Sequence, residues 1–364
     1  MIDFIPVELF KNIFFNFQLV IVLFLFLQSQ NSDLDDKRNL NQMSTVGILL
    51  LFFIVTLVGF RPVSYAFGDM GTYSLQFDEF ANNVAEPIST DYFFYYFMKF
   101  AANYLNKEIF FFLCMLVYTY SLYLASKKLF KEYWAYSFFI LVFSLSFWAY
   151  GTNGIRNGMA TSIFLLAITR QNNLSKILIL IISLSIHQSM IIPVIMYVIT
   201  TYYTNTRNIF RFWLLCIPLS LLLGSILETF FLGIGLGEDV KLKGYLIESE
   251  EYQEQMSAVG FRWDFLLYSI IGVFTGMYFI YKKNFKDKFY THIFNVYLLT
   301  NAIWILVIRA NFSNRFAYLS WFLLGLIIIY PLLKYKFFKN QHQVVGRIVI
   351  IYFMFTFLMN VILA

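Results

Sequence analysis

Long runs of apolar residues, separated by short polar segments, fill this sequence. A run of about 15 to 20 apolar residues is long enough for a helix that crosses a membrane, and twelve runs approach or reach that length. They cover residues 10–27, 46–60, 109–126, 134–150, 155–170, 174–186, 189–201, 212–232, 265–281, 290–307, 316–333 and 346–363. The pattern predicts an all-α polytopic membrane protein of about 12 transmembrane helices, folded as one integral membrane domain over residues 1–364.

Composition excludes the main alternatives. Hydrophobic residues make up 60% of the 364 residues and charged residues only 13%, whereas soluble domains are about a quarter charged. A transmembrane β-barrel would alternate apolar and polar residues along each strand, and the unbroken apolar runs do not.

The distribution of Lys and Arg predicts the orientation of the helices. Most of the 27 basic residues fall near alternate loops, among them 127–133, 282–289 and 334–345. The positive-inside rule places these loops in the cytoplasm and both termini outside. Two long loops, 61–108 and 233–264, then lie on the outer face. The net charge of +6 is therefore interpreted as a topology signal, and no nucleic-acid partner is predicted.

The segment 91–105 needs a separate interpretation, because a span here would invert the later loops. Asp91, Tyr95, Lys99 and Asn103 recur every four residues and share one helix face. We expect an amphipathic helix at the outer interface. Asp91, which follows Ser-Thr, is a plausible helix cap and could be nothing more.

Five polar residues open helices or fill a tight turn on the predicted outer side. Asn153 is a candidate helix cap, and Arg156 falls in the first helical turn after it. Arg309, Asn314 and Arg315 lie in the turn between the tenth and eleventh runs. An arginine near a helix N-terminus favours phosphate. The alternative is that these arginines extend to the interface and mark the membrane boundary.

Three further residues could act on a substrate. His187, between the two short runs, is a candidate general base or phosphate ligand, and alternatively a hydrogen-bonded structural residue. Asp69 could accept a proton from a sugar hydroxyl or simply belong to a turn, and Tyr73 follows it closely. The sequence has no nucleotide-binding or metal-binding motif, so neither a cofactor nor a metal is predicted.

Four short motifs, taken in order, give the chain a resemblance to the Wzy-type polysaccharide polymerases and, within them, to the EpsG-like branch. They are Gly68-Asp69 with Tyr73, Asn153-x-x-Arg156-Asn157-x-Met159-Ala160, Ile186-His187-Gln188-Ser189 and Asn314-Arg315-Phe316. Asn157 stands where that family usually has Gln.

The resemblance implies a GT-C-like membrane glycosyltransferase, active on the outer face of the bacterial cytoplasmic membrane. Its substrates would be undecaprenyl-diphosphate-linked oligosaccharides, and its partners would include membrane lipids and a chain-length regulator protein. Substrate would be bound by Arg156, Arg315, Arg309, Asn153, Asn314 and Tyr73, with His187 or Asp69 as the catalytic base. An O-antigen ligase, another membrane transferase and a lipid-linked oligosaccharide flippase are alternatives that remain open at this point.

Overall fold

All secondary structure in the described residues is helical, as the apolar runs predict. The computed structural model describes residues 2, 4–84, 90–231, 260–310 and 313–363, and no strand occurs among them. Sixteen α-helices follow one another within this part of the chain: α1 Leu9–Asn31, α2 Lys37–Gly59, α3 Met70–Ala81, α4 Tyr92–Tyr104, α5 Lys107–Phe130, α6 Trp134–Val142, α7 Phe147–Thr152, α8 Ile155–Ile168, α9 Asn173–Ile186, α10 Ile191–Tyr202, α11 Thr206–Phe231, α12 Trp263–Met277, α13 Lys288–Leu306, α14 Asn314–Trp321, α15 Leu324–Lys334 and α16 Gln341–Phe357. Short 3-10 turns form at Tyr65–Phe67, Lys131–Tyr133 and Gln188–Met190.

Many of these helices are suited to a membrane by length and composition. Among the described residues, seven helical stretches are long and apolar enough to cross one: Leu9–Asn31, Lys37–Gly59, Lys107–Val142, Thr206–Gly224, Trp263–Lys282, Asn314–Lys334 and Gln341–Ile362. Three shorter apolar helices cover Ile155–Ile168, Asn173–Ile186 and Gln188–Tyr202. The prediction of an all-α polytopic membrane protein is confirmed, whereas the GT-C-like arrangement and the single-domain organisation remain predictions.

Seven long apolar stretches in the described residues are fewer than the twelve predicted runs, for local reasons. The stretch Lys107–Val142 includes one predicted run and most of the next, and it is interrupted where Lys131 adopts a positive φ of 50°. The run at 290–307 folds as α13, whose length is sufficient but whose polar residues, such as Asn295 and Asn301, lower its mean hydropathy. The prediction for 174–186 and 189–201 as unusually short helices matches α9 and α10.

The described chain divides into two compact units, Met1–Ile191 with Leu332–Ala364, and Ile192–Pro331. In the first unit, α5 packs against α2, α4, α6 and α8, while α8 also contacts α9. The approach of α8 to α5 is close: a Cβ atom added to Gly158 would lie 3.1 Å from the ring of Tyr118. Helices α3 and α4 pack together, and α4 also contacts α9.

In the second unit, α13 packs against α11, α12 and α14. A buried hydrogen-bond network joins these four helices through Asn301. Its side-chain oxygen accepts from Trp213 Nε1 at 2.8 Å, and its Nδ2 donates to Ser269 Oγ at 3.0 Å and Ser320 Oγ at 2.9 Å. Because polar groups buried among apolar helices are costly when unpaired, this network favours one packing arrangement.

The two predicted outer loops differ in how much of them the structure describes. Within 61–108, residues 85–89 lie outside the described residues, and the rest contains α3, α4 and the start of α5. The 13 residues of α4 extend about 20 Å at 1.5 Å per residue, too short for the roughly 30 Å of a hydrocarbon core. The interfacial position of α4 stays a prediction. Most of 233–264 lies outside the described residues.

Candidate functional site

A buried carboxylate lies at the start of α4. The Asp91 side chain is 4% exposed, and it accepts three hydrogen bonds from two distant segments of the chain. Arg156 Nη1 lies 2.6 Å from its Oδ2, and His187 Nδ1 lies 3.2 Å from the same oxygen. The backbone N–H of Gln188 donates to Oδ1 at 2.7 Å. Two predicted site residues, Arg156 and His187, are therefore brought together by a third residue.

Local structure explains why Asp91 reaches both segments. Its backbone is left-handed (φ 56°, ψ 40°), a conformation that Asp tolerates better than most residues. It occupies the N-cap position of α4, as predicted, but its side chain makes no capping hydrogen bond. Asp91 therefore does more than begin α4, because its carboxylate lies at the N-terminus of the 3-10 turn Gln188–Met190 and accepts from Gln188 N–H, where N–H groups attract an anion.

Arg156 is held on two sides. It is in the first turn of α8, as predicted, and its Nε donates to the Tyr73 hydroxyl of α3 at 3.1 Å. Its guanidinium carbon lies 5.6 Å from the centroid of the Tyr73 ring and 6.0 Å from that of Phe94. The side chain is 25% exposed. Arg156 is thus fixed by Asp91 and two aromatic rings. An arginine that extended to the membrane surface would lack these contacts.

We call the group formed by Tyr73, Asp91, Arg156 and His187 the Asp91 cluster. The charges within this cluster compensate one another. Burial by itself raises the pKa of Asp91, but the hydrogen bond and charge of His187, the charge of Arg156 and the Gln188 N–H outweigh burial and lower it below its usual value. Burial raises the pKa of Tyr73, although neighbouring Arg156 opposes this shift. Asp91 is therefore an ionised carboxylate and Tyr73 a neutral hydroxyl near neutral pH.

Asp69 and Asn153 also meet in the first unit. The backbone N–H of Asp69 donates to Asn153 Oδ1 at 2.8 Å. Gly68 just before it has φ 66°, and a Cβ atom there would lie 2.5 Å from Asn153 Cγ. Asn153 is not the predicted helix cap, since the N-cap of α8 is Gly154. Its side chain instead fixes the loop that carries Asp69.

A further contact joins the second and third motifs. Ser189 Oγ donates to Asn157 Oδ1 at 3.2 Å. Asn157, where the resembled family usually has Gln, therefore has a structural partner next to the His187 segment. Three of the four sequence motifs, separated by up to about 120 residues, converge within the first unit.

Arg61, which belongs to none of the four motifs, stabilises the segment next to Asn153. It is 2% exposed, and its guanidinium donates to the backbone oxygens of Val58 and, at 3.2 Å, Thr152. Its guanidinium carbon lies 5.3 Å from the Phe67 ring. Arg61 thus neutralises the carbonyl ends of α2 and α7, where a positive charge is favoured, and fixes the residue that precedes Asn153.

The fourth motif belongs to the second unit. Asn314 and Arg315 are the first two residues of α14, and both are partly exposed. Arg309 is exposed, and its Nη2 donates to Leu221 O at 3.3 Å. The start of α14 at this motif agrees with the predicted helix. The substrate-binding roles of Arg309, Asn314 and Arg315 stay predictions.

Within the described ranges, no group of three His, Cys, Asp or Glu residues is arranged to hold a metal ion. The cationic side chain that shares Asp91 with the candidate base His187 is Arg156. The residue that sequence reasoning missed is Asp91. The sequence shows only that Asp91 is an acid in the first predicted outer loop. Its role could not be read from the sequence, because its contacts with Arg156 and His187 span 65 and 96 residues.

Comparison with known proteins identifies the family of the chain. A model of the EpsG family matches residues 44–364. The chain belongs to the EpsG family. Searches of curated proteins and of solved structures each found no match. The match to the family includes every candidate residue described above, and membership indicates a membrane protein of polysaccharide biosynthesis.

Proposed function

We propose that this member of the EpsG family is a polysaccharide polymerase, a glycosyltransferase that joins undecaprenyl-diphosphate-linked oligosaccharide repeat units on the outer face of the cytoplasmic membrane. The observation that carries the proposal is the Asp91 cluster. It places a guanidinium and an imidazole on one carboxylate, next to the loop of Asp69. These are the groups needed to bind a diphosphate and to remove a proton from a hydroxyl.

The reaction would proceed by attack of an acceptor hydroxyl on the anomeric carbon of the donor glycan. The new C–O bond forms as the anomeric C–O bond to the diphosphate breaks, and undecaprenyl diphosphate leaves with the electron pair. The hydroxyl proton passes to His187. Arg156 stabilises the charge that develops on the leaving diphosphate, because a guanidinium near a helix N-terminus favours phosphate.

The remaining candidates have supporting roles in this proposal. Tyr73 contacts Arg156 and could also donate its hydroxyl to a sugar, and Asn153 holds the loop of Asp69 through the Asp69 N–H. Asp69 orients the acceptor sugar or replaces His187 as the base. Arg315, Arg309 and Asn314 of the second unit are proposed as phosphate contacts in their own right.

The decisive experiment is incubation of the purified protein with a lipid-linked repeat unit, followed by separation of the glycan products. A ladder spaced by one repeat unit is expected. Transfer of a complete glycan to a different acceptor in a single step would instead indicate a ligase, and transport without a new bond would indicate a flippase. Either result would overturn the proposal.

Variants assign the roles. Arg156→Lys keeps the charge but loses the planar fork, and loss of a charged hydrogen bond of about 1.5–3 kcal/mol lowers the rate roughly 10- to 100-fold. His187→Ala lowers it by about 10²-fold or more, the usual contribution of a general base. The matched control is Arg38→Lys, the same change at an exposed arginine, which should leave the ladder unchanged.

A further inference from the structure

The carboxylate of Asp91 is buried without serving the helix that it begins. A carboxylate with 4% exposure is costly unless its oxygens are hydrogen-bonded. The side chain forms no capping bond for α4, and its three donors come from the α8 and His187 segments. Its place in the fold is therefore explained by what it does to those segments.

The contact with His187 determines which ring nitrogen carries the proton. An ionised carboxylate only accepts hydrogen bonds, and Asp91 Oδ2 lies 3.2 Å from His187 Nδ1. Nδ1 must therefore carry a hydrogen, and in a neutral imidazole the lone pair is then on Nε2. Arg156, 2.6 Å from the same oxygen, supplies the positive charge that keeps Asp91 ionised in a buried place.

We infer that Asp91 is a positioning residue that holds His187 with its proton on Nδ1 and presents Nε2 as the acceptor for the proton of the attacking hydroxyl. This inference rests on the proposed function for its catalytic meaning. When Nε2 takes the proton, the imidazole becomes positively charged beside the carboxylate. Asp91 therefore stabilises the protonated base at the moment when the diphosphate leaves, as an acid does for the histidine of a catalytic triad.

Asp91 is not itself the base. Both of its oxygens already accept hydrogen bonds, from Arg156 and His187 on one and from Gln188 on the other. An oxygen so occupied and nearly inaccessible cannot approach a substrate hydroxyl. The role therefore passes to the ring that Asp91 orients, whose side chain is 18% exposed.

The tautomer of His187 is measurable without any activity. The chain has three histidines, so nitrogen NMR of protein labelled at histidine gives few signals, and His187→Asn identifies the one of interest. The wild type should show a protonated Nδ1 and an unprotonated Nε2. In Asp91→Ala the signal should shift toward the opposite tautomer, whereas Asp78→Ala, an exposed acid of the same loop, should change nothing.

Kinetics supply the second measurement. Asp91→Ala should lower the maximal rate of glycan transfer about 10²-fold, as loss of general-base assistance does. In the His187→Ala background the same substitution should cost clearly less than in the wild type, because only its contact with Arg156 then remains to be lost. A merely structural role would give similar losses in both backgrounds and would overturn the inference.

The failures can be told apart. Absence of any product from the wild type refutes the proposed function. Protonation of His187 on Nε2 in the folded wild type overturns the inference about Asp91, whatever the activity. If Asp91→Ala does not accumulate as folded protein, the wild-type tautomer and the Asp91→Glu variant decide. Asp91→Glu should keep the proton of His187 on Nδ1. If that proton moves to Nε2 in Asp91→Glu while the rate of glycan transfer stays at the wild-type value, the inference is contradicted.

Discussion

Replacing Arg156 by Met should destabilise the protein far more than replacing Lys107 by Met. The two residues form ion pairs with the same separation: Arg156 lies 2.6 Å from Asp91, and Lys107 lies 2.6 Å from Asp78. The pairs differ in burial, since the Asp91 side chain is 4% exposed and that of Asp78 is 49% exposed. The comparison therefore tests mainly the effect of removing a carboxylate from water, although Arg156 also contacts Tyr73 and Phe94.

The expected magnitudes follow from this difference. Breaking a buried pair by removing one partner costs roughly 3–5 kcal/mol, because a bare charge stays buried. Asp91 would keep its bonds from His187 and Gln188, so we expect the lower end, about 3 kcal/mol. Loss of an exposed pair such as Lys107–Asp78 costs about 0–1 kcal/mol.

The assay is equilibrium unfolding in mixed detergent micelles, followed by tryptophan fluorescence. A double variant, Arg156→Met with Asp91→Asn, gives an internal control: it removes the charge together with its partner, and it should recover at least ~1 kcal/mol relative to Arg156→Met alone. Equal losses from Arg156→Met and Lys107→Met would refute the reasoning, since Asp91 would then not be a buried ionised group.

Three further predictions concern other features. Because its pKa is lowered, Asp91 contributes stability that is complete above the usual carboxyl value of about 4 and is lost as the pH falls through the lowered value. The difference in unfolding free energy between wild type and Asp91→Asn should therefore stay constant above about pH 5 and shrink as the pH falls below about 4; a difference that does not shrink in acid would contradict this. Gly68→Ala combines backbone strain of about 1–3 kcal/mol with a clash against Asn153, and it should abolish the product ladder. The control is Gly260→Ala, where φ is also positive but no atom lies within 4 Å of the added Cβ; this variant should keep the ladder. Asn301→Leu removes the acceptor of Trp213 Nε1 and one hydrogen bond each from Ser269 and Ser320, which keep their contacts with Trp321 and Ala317. The variant should lower the thermal unfolding midpoint of the purified protein, in keeping with about 1–3 kcal/mol for one buried donor left unpaired; an unchanged midpoint would argue against the network.

The sequence predicts the helices well, because each apolar run is a local feature. It does not predict the interruption at Lys131, where a single residue with positive φ ends α5 and α6 packs against α5. It also predicts the motifs around Arg156 and His187 but not the carboxylate that joins them. Asp91 follows Ser-Thr, as a cap does, and a local pattern contains no information about contacts 65 and 96 residues away.

Caps illustrate the same limit at Asn153. Residue type and position favoured a helix cap there, yet the side chain accepts from Asp69 N–H, 84 residues earlier in the chain. Local preference and tertiary contact compete for the same oxygen, and the tertiary contact prevails. Two such departures from local rules, at Asp91 and Asn153, lie in the candidate site, as is expected where a structure serves a function.

The position of Arg61 also sets an order of events during synthesis. Its two backbone acceptors belong to α2 and α7, and Thr152 follows it by 91 residues. At about 5–20 residues per second, the ribosome needs roughly 5 to 20 s to supply the second acceptor. During that interval Arg61 is a charged residue with only half of its final partners, at the end of a newly inserted helix. The hydrogen bonds of Arg61 can therefore be completed only after α7 has been synthesised, so the first unit closes around Arg61 late in its assembly.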